Sequence, residues 1–105
     1  YGTTLTTTDA TTLLTPSAAG AGAVETFIIK SFRVTNNTGN TPTITITNND
    51  INIVKTQTLA ANASTEILTL PLIVESSKSI KVTMSSTDSV SIGISYLNIT
   101  QEVTV

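Results

Sequence analysis

Residues 41–48 read TPTITITN, and this stretch decides the fold. Ile44 and Ile46 share one parity, while Thr43, Thr45 and Thr47 share the other. Strict alternation with a period of two puts apolar side chains on one face and hydroxyls on the other, the pattern of a half-buried strand in an antiparallel sheet. Pro42 suits the start of such a strand or an edge, where no ladder donor is needed. The same period returns at Ile80, Val82 and Met84, and again at Val90, Ile92, Ile94 and Tyr96. Leu97 and Ile99 take the opposite parity, which predicts a switch of face near Tyr96.

Outward from that stretch the chain keeps reading as strand and turn. Residues 24–36 carry Phe27, Ile28, Ile29, Phe32 and Val34. Phe27 and Ile29 differ in parity from Phe32 and Val34, so the strand is either buried on both faces or bulged near Lys30 and Ser31. Asn36-Asn37-Thr38-Gly39-Asn40 and Asn48-Asn49-Asp50 read as turns, since Asn, Asp and Gly tolerate positive φ. A short strand with Ile51, Ile53 and Val54 follows the second turn, and residues 59–64 form a connection. Residues 65–75 make another strand, with a break or an edge at Pro71, which lacks a backbone donor. Residues 76–79 and 85–89 turn the chain. About six to eight strands with turn signals every 8–12 residues or so predict an all-β chain, a single antiparallel β-sandwich of jelly-roll or Ig-like type. No helix is predicted, because the windows free of β-branched residues, 16–23 and 59–64, are too short or too rich in Gly and Pro. The expected organisation is an extended Thr-rich N-terminal arm over residues 1–15, a linker loop over 16–23, the sandwich over 24–100 and a short tail over 101–105.

Composition agrees with that fold class. Thr, Ile and Val supply 43 of 105 residues, and all three fit a pleated surface better than a helix. The chain has no His, Cys or Trp, which excludes a disulfide framework, an imidazole or thiolate metal site and a His-activated nucleophile. Only 12 residues carry formal charge, and Lys30, Arg33, Lys55, Lys78 and Lys81 lie scattered among acids. Nucleic acid and anionic membrane surfaces both call for clustered cations, so neither is an expected partner. No apolar run approaches the roughly 18 residues needed to cross a bilayer, and residues 1–14 show no signal-peptide pattern. The surface is mostly hydroxyls and amides and suits close packing against other copies.

Residue clusters that would carry chemistry are weak. The carboxylates Asp9, Glu25, Asp50, Glu66, Glu75, Asp88 and Glu102 read as solvated turn and strand residues rather than as an acid–base pair. Asn48-Asn49-Asp50 lacks the acidic density of a calcium loop and reads as a turn. The sequons at Asn36, Asn62 and Asn98 occur about as often as this Ser/Thr content gives by chance, so they say nothing of glycosylation. Phe27 and Phe32 are expected in the core, and Tyr96 in the core or at its rim. Gly20-Ala21-Gly22 has no Lys-Ser/Thr behind it and reads as a connection rather than a phosphate cradle. No catalytic, cofactor-binding or metal-binding residue is assigned, and no enzyme activity is expected.

Three stretches, LLTPSAAGAGAVETFIIKSFRVTNNTG (13–39), LAANASTEILTLPLIVESSKSIKVTMSS (59–86) and VSIGISYLNIT (90–100), together cover most of the chain. In their order of turns and apolar residues they resemble a family of small β-sandwich virion proteins of tailed bacteriophages. Where members of that family often carry Gly-Asp before the penultimate strand, this chain has Ser77-Lys78. The resemblance implies a repeated structural subunit: a decoration or cement protein of the capsid, or a component of the neck, tail or fibre. It implies as partners other copies of the chain and the major capsid or neck and tail proteins, and a place in the virion, assembled in the host bacterial cytoplasm. On that reading, residues 1–15 and 101–105 are the expected contacts between subunits, adding to exposed sheet edges of neighbours. The alternative function is a carbohydrate- or host-surface-binding module of a fibre or adhesin, for which exposed aromatic rings beside Asn and Asp would be needed.

Overall fold

The computed structural model describes residues 1–17 and 23–102, and all of its regular structure is β. Nine strands follow in order: β1 (Gly2–Leu5), β2 (Thr11–Leu14), β3 (Ala23–Asn36), β4 (Thr43–Asn48), β5 (Ile51–Thr58), β6 (Ser64–Glu66), β7 (Leu72–Val74), β8 (Ile80–Met84) and β9 (Val90–Glu102). One sheet runs β1-β9-β3-β6, with β7 also on β3, and the other runs β2-β8-β4-β5. Every pairing is antiparallel.

The pairings β1–β9, β2–β8, β3 with β6 and β7, and β4–β5 are nested. Each residue's partner in these pairs lies about as far beyond the Asn49–Asp50 turn as the residue lies before it. The chain is thus one long hairpin rolled up so that β9 also meets β3 and β8 also meets β4. That is the jelly-roll member of the expected pair of sandwich types. β6 and β7 occupy successive stretches of one β3 edge, against residues 33–35 and 27–29, so they act as one interrupted strand. The interruption surrounds Pro71, where a break was expected.

Alternation sets the core. Ile44 and Ile46 of β4, Ile80, Val82 and Met84 of β8, and Val90, Ile92 and Ile94 of β9 are buried between the sheets. Phe32, Val34 and Ile29 of β3 join them, fully inaccessible. The register of β3 on β9 slips between Ile29 and Ser31, so Lys30 is an extra residue. This bulge returns Phe27 and Ile29 to the core side despite their parity, which selects the bulge from the two readings that the sequence leaves open. At the tip of the hairpin Asn49 and Asp50 have φ of 53° and 60°. Two consecutive positive φ values make the two-residue turn whose twist matches that of its flanking strands.

Two expectations need correction. Residues 1–15 are not an arm outside the sandwich: β1 pairs with β9, β2 pairs with β8, and Leu5, Leu13 and Leu14 are buried in the core. Their hydroxyls also bond across the sheets, Thr4 to Ser91 at 3.1 Å and Thr15 to Ser79 at 2.8 Å. The face of β9 does not switch near Tyr96 either. The extra residue sits on β3, β9 runs on unbulged, and Leu97 and Ile99 therefore stay on the outer face. The loop expectation for Gly20 to Gly22 and the strand spacing of Val103 and Val105 lie outside the described residues.

The molecule is long, 54 × 23 × 20 Å, with a radius of gyration of 14.7 Å against about 13 Å for a compact chain of this length. The paired distal halves of β3 and β9 carry the ladder out to Ala23 and Glu102.

Candidate interaction surface

The carboxylates are dispersed and each serves the scaffold. Glu66 accepts hydrogen bonds from the Ser31 hydroxyl, from Phe32 N at 2.7 Å and from Leu68 N at 3.5 Å. It clamps the two residues that follow the Lys30 bulge. Partial burial pushes its pKa up, but those hydrogen bonds and the nearby Arg33 outweigh burial and hold it below the usual value. Glu25 accepts from Ser17 N at 3.0 Å and from Asn98 Nδ2 at 2.6 Å, and these bonds hold its pKa down. Asp88 is held down likewise, by Ser86 Oγ at 2.6 Å and Asn40 Nδ2 at 2.9 Å. A general acid working near neutral pH needs its pKa raised, so these three lean the wrong way for that role. Among the described residues no three of the His, Cys, Asp or Glu type gather where they could hold a metal ion. Asp50 instead faces Lys81 Nζ at 3.8 Å, at the exposed turn between β4 and β5.

A cleft of about 280 Å³ lies beside that turn, lined by Asn48, Asn49, Ile51, Ile73, Glu75 and Lys78. Asn48 Nδ2 donates to Ile73 O at 3.1 Å across its floor and ties β4 to β7. Its wall offers one acid and one amine and no activated nucleophile.

The aromatic rings are committed to packing. Phe32 and Phe27 are buried, as their strand predicts. Tyr96 lies at the rim, 37% exposed, with its ring 4.7 Å from that of Phe27 at a tilt of 43°. One of its faces is therefore spent on Phe27, which leaves a poor platform for a sugar ring. Of the sequons, Asn36 is buried at 1% exposure, and its amide is used up by Asn40 O at 2.7 Å and Ala60 O at 3.2 Å. A glycan at Asn36 is incompatible with this fold. Asn62 and Asn98 are exposed.

What the surface does display is apolar. Ile28 pairs directly with Ile73 on one side and with Leu97 on the other, so the three form a row across the outer face of the sheet. Ile99, two residues beyond Leu97, shares that face. Ile73, Leu97 and Ile99 are 58%, 48% and 45% exposed. The row borders a side of β9 that the described residues cover only in part. β1 covers β9 only over residues 90–93, and Tyr1 adds a bonded pair at Ile94. Beyond Ile94 no described residue pairs with that side of β9. A contiguous exposed row of large aliphatic side chains is a feature that monomeric sheets normally suppress.

A scan against family models, a search of curated proteins and a search of solved structures each returned no match. The likeness to tailed-phage virion proteins therefore rests on the three sequence stretches alone.

Proposed function

We propose that this chain is a non-enzymatic structural subunit of a tailed-phage particle, present in many copies and joined by surface contact to other copies and to capsid, neck or tail proteins. The observation that carries this reading is the exposed apolar row of Ile73, Ile28 and Leu97, with Ile99 beside it, on the outer face of the sheet. Such a surface is suited to many weak contacts that add by avidity, and it asks for no reactive side chain. The absence of His and Cys from the sequence and the lowered carboxylate pKa values support the same reading. A rolled double sheet is used by viral shell proteins and by lectins alike, so the fold leaves the choice to the surface.

The test is to purify particles from a host expressing the chain and to image them after labelling with an antibody raised against it. The expected result is regular, multiple labelling of one part of the particle, with the chain co-sedimenting through a density gradient. A chain found wholly in the unassembled fraction overturns the proposal. So does micromolar binding on a glycan array that is lost in Tyr96→Ala, which would make it a sugar-binding module.

A further inference from the structure

We infer that residues 64–71 form a strap that lifts off the edge of β3 while the rest of the sandwich stays folded, and that the Glu66 carboxylate is its latch. This goes beyond the structural role proposed above, because it gives the subunit a moving part.

The strap is tied down at its two ends and loosely held between them. Before it, Asn36 N donates to Ala63 O at 2.9 Å and Asn62 N donates to Thr38 O at 2.9 Å. After it, Val74 of β7 is fully buried. None of residues 64–71 is buried, and Leu70 is 76% exposed. The strap also carries slack. Ile67 N donates to Phe32 O at 2.9 Å, and pairing resumes with Leu72 opposite Ile29. Residues 68–71 therefore cross a stretch of β3 that holds only Lys30 and Ser31, and they cannot lie flat along it. Pro71 has no N–H with which to rejoin the ladder. Segments with few buried apolar contacts and exposed backbone bonds open locally, below the free energy of global unfolding.

One side chain closes the gap that the departing chain leaves. In an antiparallel ladder the two residues of a hydrogen-bonded pair exchange two bonds. Arg33 faces Glu66, so Phe32 and Ile67 come next in register, and Phe32 N would donate to Ile67 O. It donates instead to Glu66 Oε2 at 2.7 Å. The carboxylate thus takes over the acceptor that is lost where the chain leaves the sheet. It also accepts from Leu68 N at 3.5 Å, on the departing chain, and from the Ser31 hydroxyl, beside the bulge. Strap and bulge meet on one carboxylate, at an exposed position where water competes for every bond. When the strap lifts, residues 31–35 of β3 lose their cover on that side, and so does the core against which Ile67 and Leu68 pack. The closed strap therefore hides a strand edge that would otherwise be open to pairing.

The chain has no cysteine, so a reversible bond can stand in for the latch. Arg33 and Glu66 are both exposed and face each other as a non-hydrogen-bonded pair. Cα atoms of such a pair lie about 4.5 Å apart, a separation that a disulfide spans. The test is hydrogen exchange, followed amide by amide by NMR in the full chain. Ile67 N donates to Phe32 O and Thr65 pairs with Val34, so these two amides report lifting of the strap rather than loss of the Glu66 acceptor. In the wild type both should exchange faster than Lys81 and Thr83 of β8, which pair with β4. Equal protection overturns the inference. In reduced Arg33→Cys/Glu66→Cys, Thr65 and Ile67 should exchange at least about tenfold faster than in the wild type, as loss of a charge-assisted bond implies. Lys81 and Thr83 should keep their rates, and Arg33→Cys alone should keep all four. Oxidation of the double variant should slow Thr65 and Ile67 to the wild-type rate or below it. Four results overturn the latch: no acceleration in the reduced double variant, an equal acceleration of Lys81 and Thr83, the same acceleration in Arg33→Cys alone, or exchange that stays fast once the disulfide has formed.

Discussion

Asn36 ends β3 as a fully buried amide, and its removal gives the sharpest stability prediction. Its Nδ2 donates to Asn40 O at 2.7 Å and Ala60 O at 3.2 Å, and its Oδ1 accepts from Thr38 N at 3.0 Å and Thr38 Oγ1 at 2.8 Å. Three of these bonds brace the β3–β4 turn, and the fourth, to Ala60 O, ties it to the connection between β5 and β6. In Asn36→Ala all four are lost. Each is worth about 1 kcal/mol net, and the exposed Asn40 and Ala60 can recover part of theirs from water, so the expected loss is about 2–4 kcal/mol. For a chain of this length, 1 kcal/mol moves the melting temperature by about 4–5 °C, so the midpoint should fall by about 8–20 °C. Asn36→Asp is nearly isosteric and should be worse at neutral pH. Its carboxylate would keep the contacts to Thr38 but press a bare oxygen against two carbonyls, and a buried unpaired charge costs about 3–5 kcal/mol. Protonation turns that oxygen into a donor, so the folded-state pKa of the introduced carboxyl lies above its unfolded value. The deficit relative to wild type should therefore be full at pH 7 and shrink as pH falls through the raised pKa. Urea titrations of the three proteins at pH 7 and pH 5 decide it. A loss under 1 kcal/mol in Asn36→Ala, or a pH-independent deficit in Asn36→Asp, refutes the assignment of Asn36 as the knot of these two loops.

Two more outcomes follow from the fold. Deleting residues 1–14 removes β1, β2 and the buried Leu5, Leu13 and Leu14. Their burial is worth about 5–9 kcal/mol, against a total stability of about 5–15 kcal/mol for a domain, so the truncated chain should show no cooperative melt by circular dichroism, and a sharp transition would contradict the pairing described. Glu25, Glu66 and Asp88 have folded pKa values below their ordinary 4.5, 4.5 and 3.8. A lowered folded pKa gives stability that is present above the ordinary value and lost as pH falls through the folded one, so thermal midpoints should hold above about pH 5 and drop towards pH 3. Glu66→Gln should flatten part of that drop, and an unchanged slope would remove Glu66 from it.

Much of this was legible locally. β4, β8 and the first half of β9 are plain from period-two alternation, the Lys30 bulge from the parity change between Ile29 and Phe32, and the divided edge strand from Pro71. What was not legible is what depends on partners far along the chain. Leu5, Leu13 and Leu14 show no useful period among the threonines, and nothing near them announces that their ladders are completed by residues 80–82 and 90–93. Asn36 has the composition of a turn, and only the arrival of residues 60–63 from beyond β5 buries it. Glu66 looks like any solvated acid until β6 is laid against the bulge. The parity of Leu97 and Ile99 was visible, but β9 runs unbulged, so that parity sets them on the outer face. Reading it as a switch of face hid the outward-facing row that now forms the candidate surface.

The nested order of the strands bears on how the protein is made. A ribosome delivers β1 first, yet β1 pairs only with β9, β2 only with β8, and β3 only with β6, β7 and β9. The first pair that can close during synthesis is β4 with β5, across the Asn49–Asp50 turn, and every earlier strand must wait for a later one. Closing such distant pairs is slow. β3 therefore stays unmatched until β6 is made, β2 until β8 and β1 until β9, and the sheets close from the middle of the chain outward.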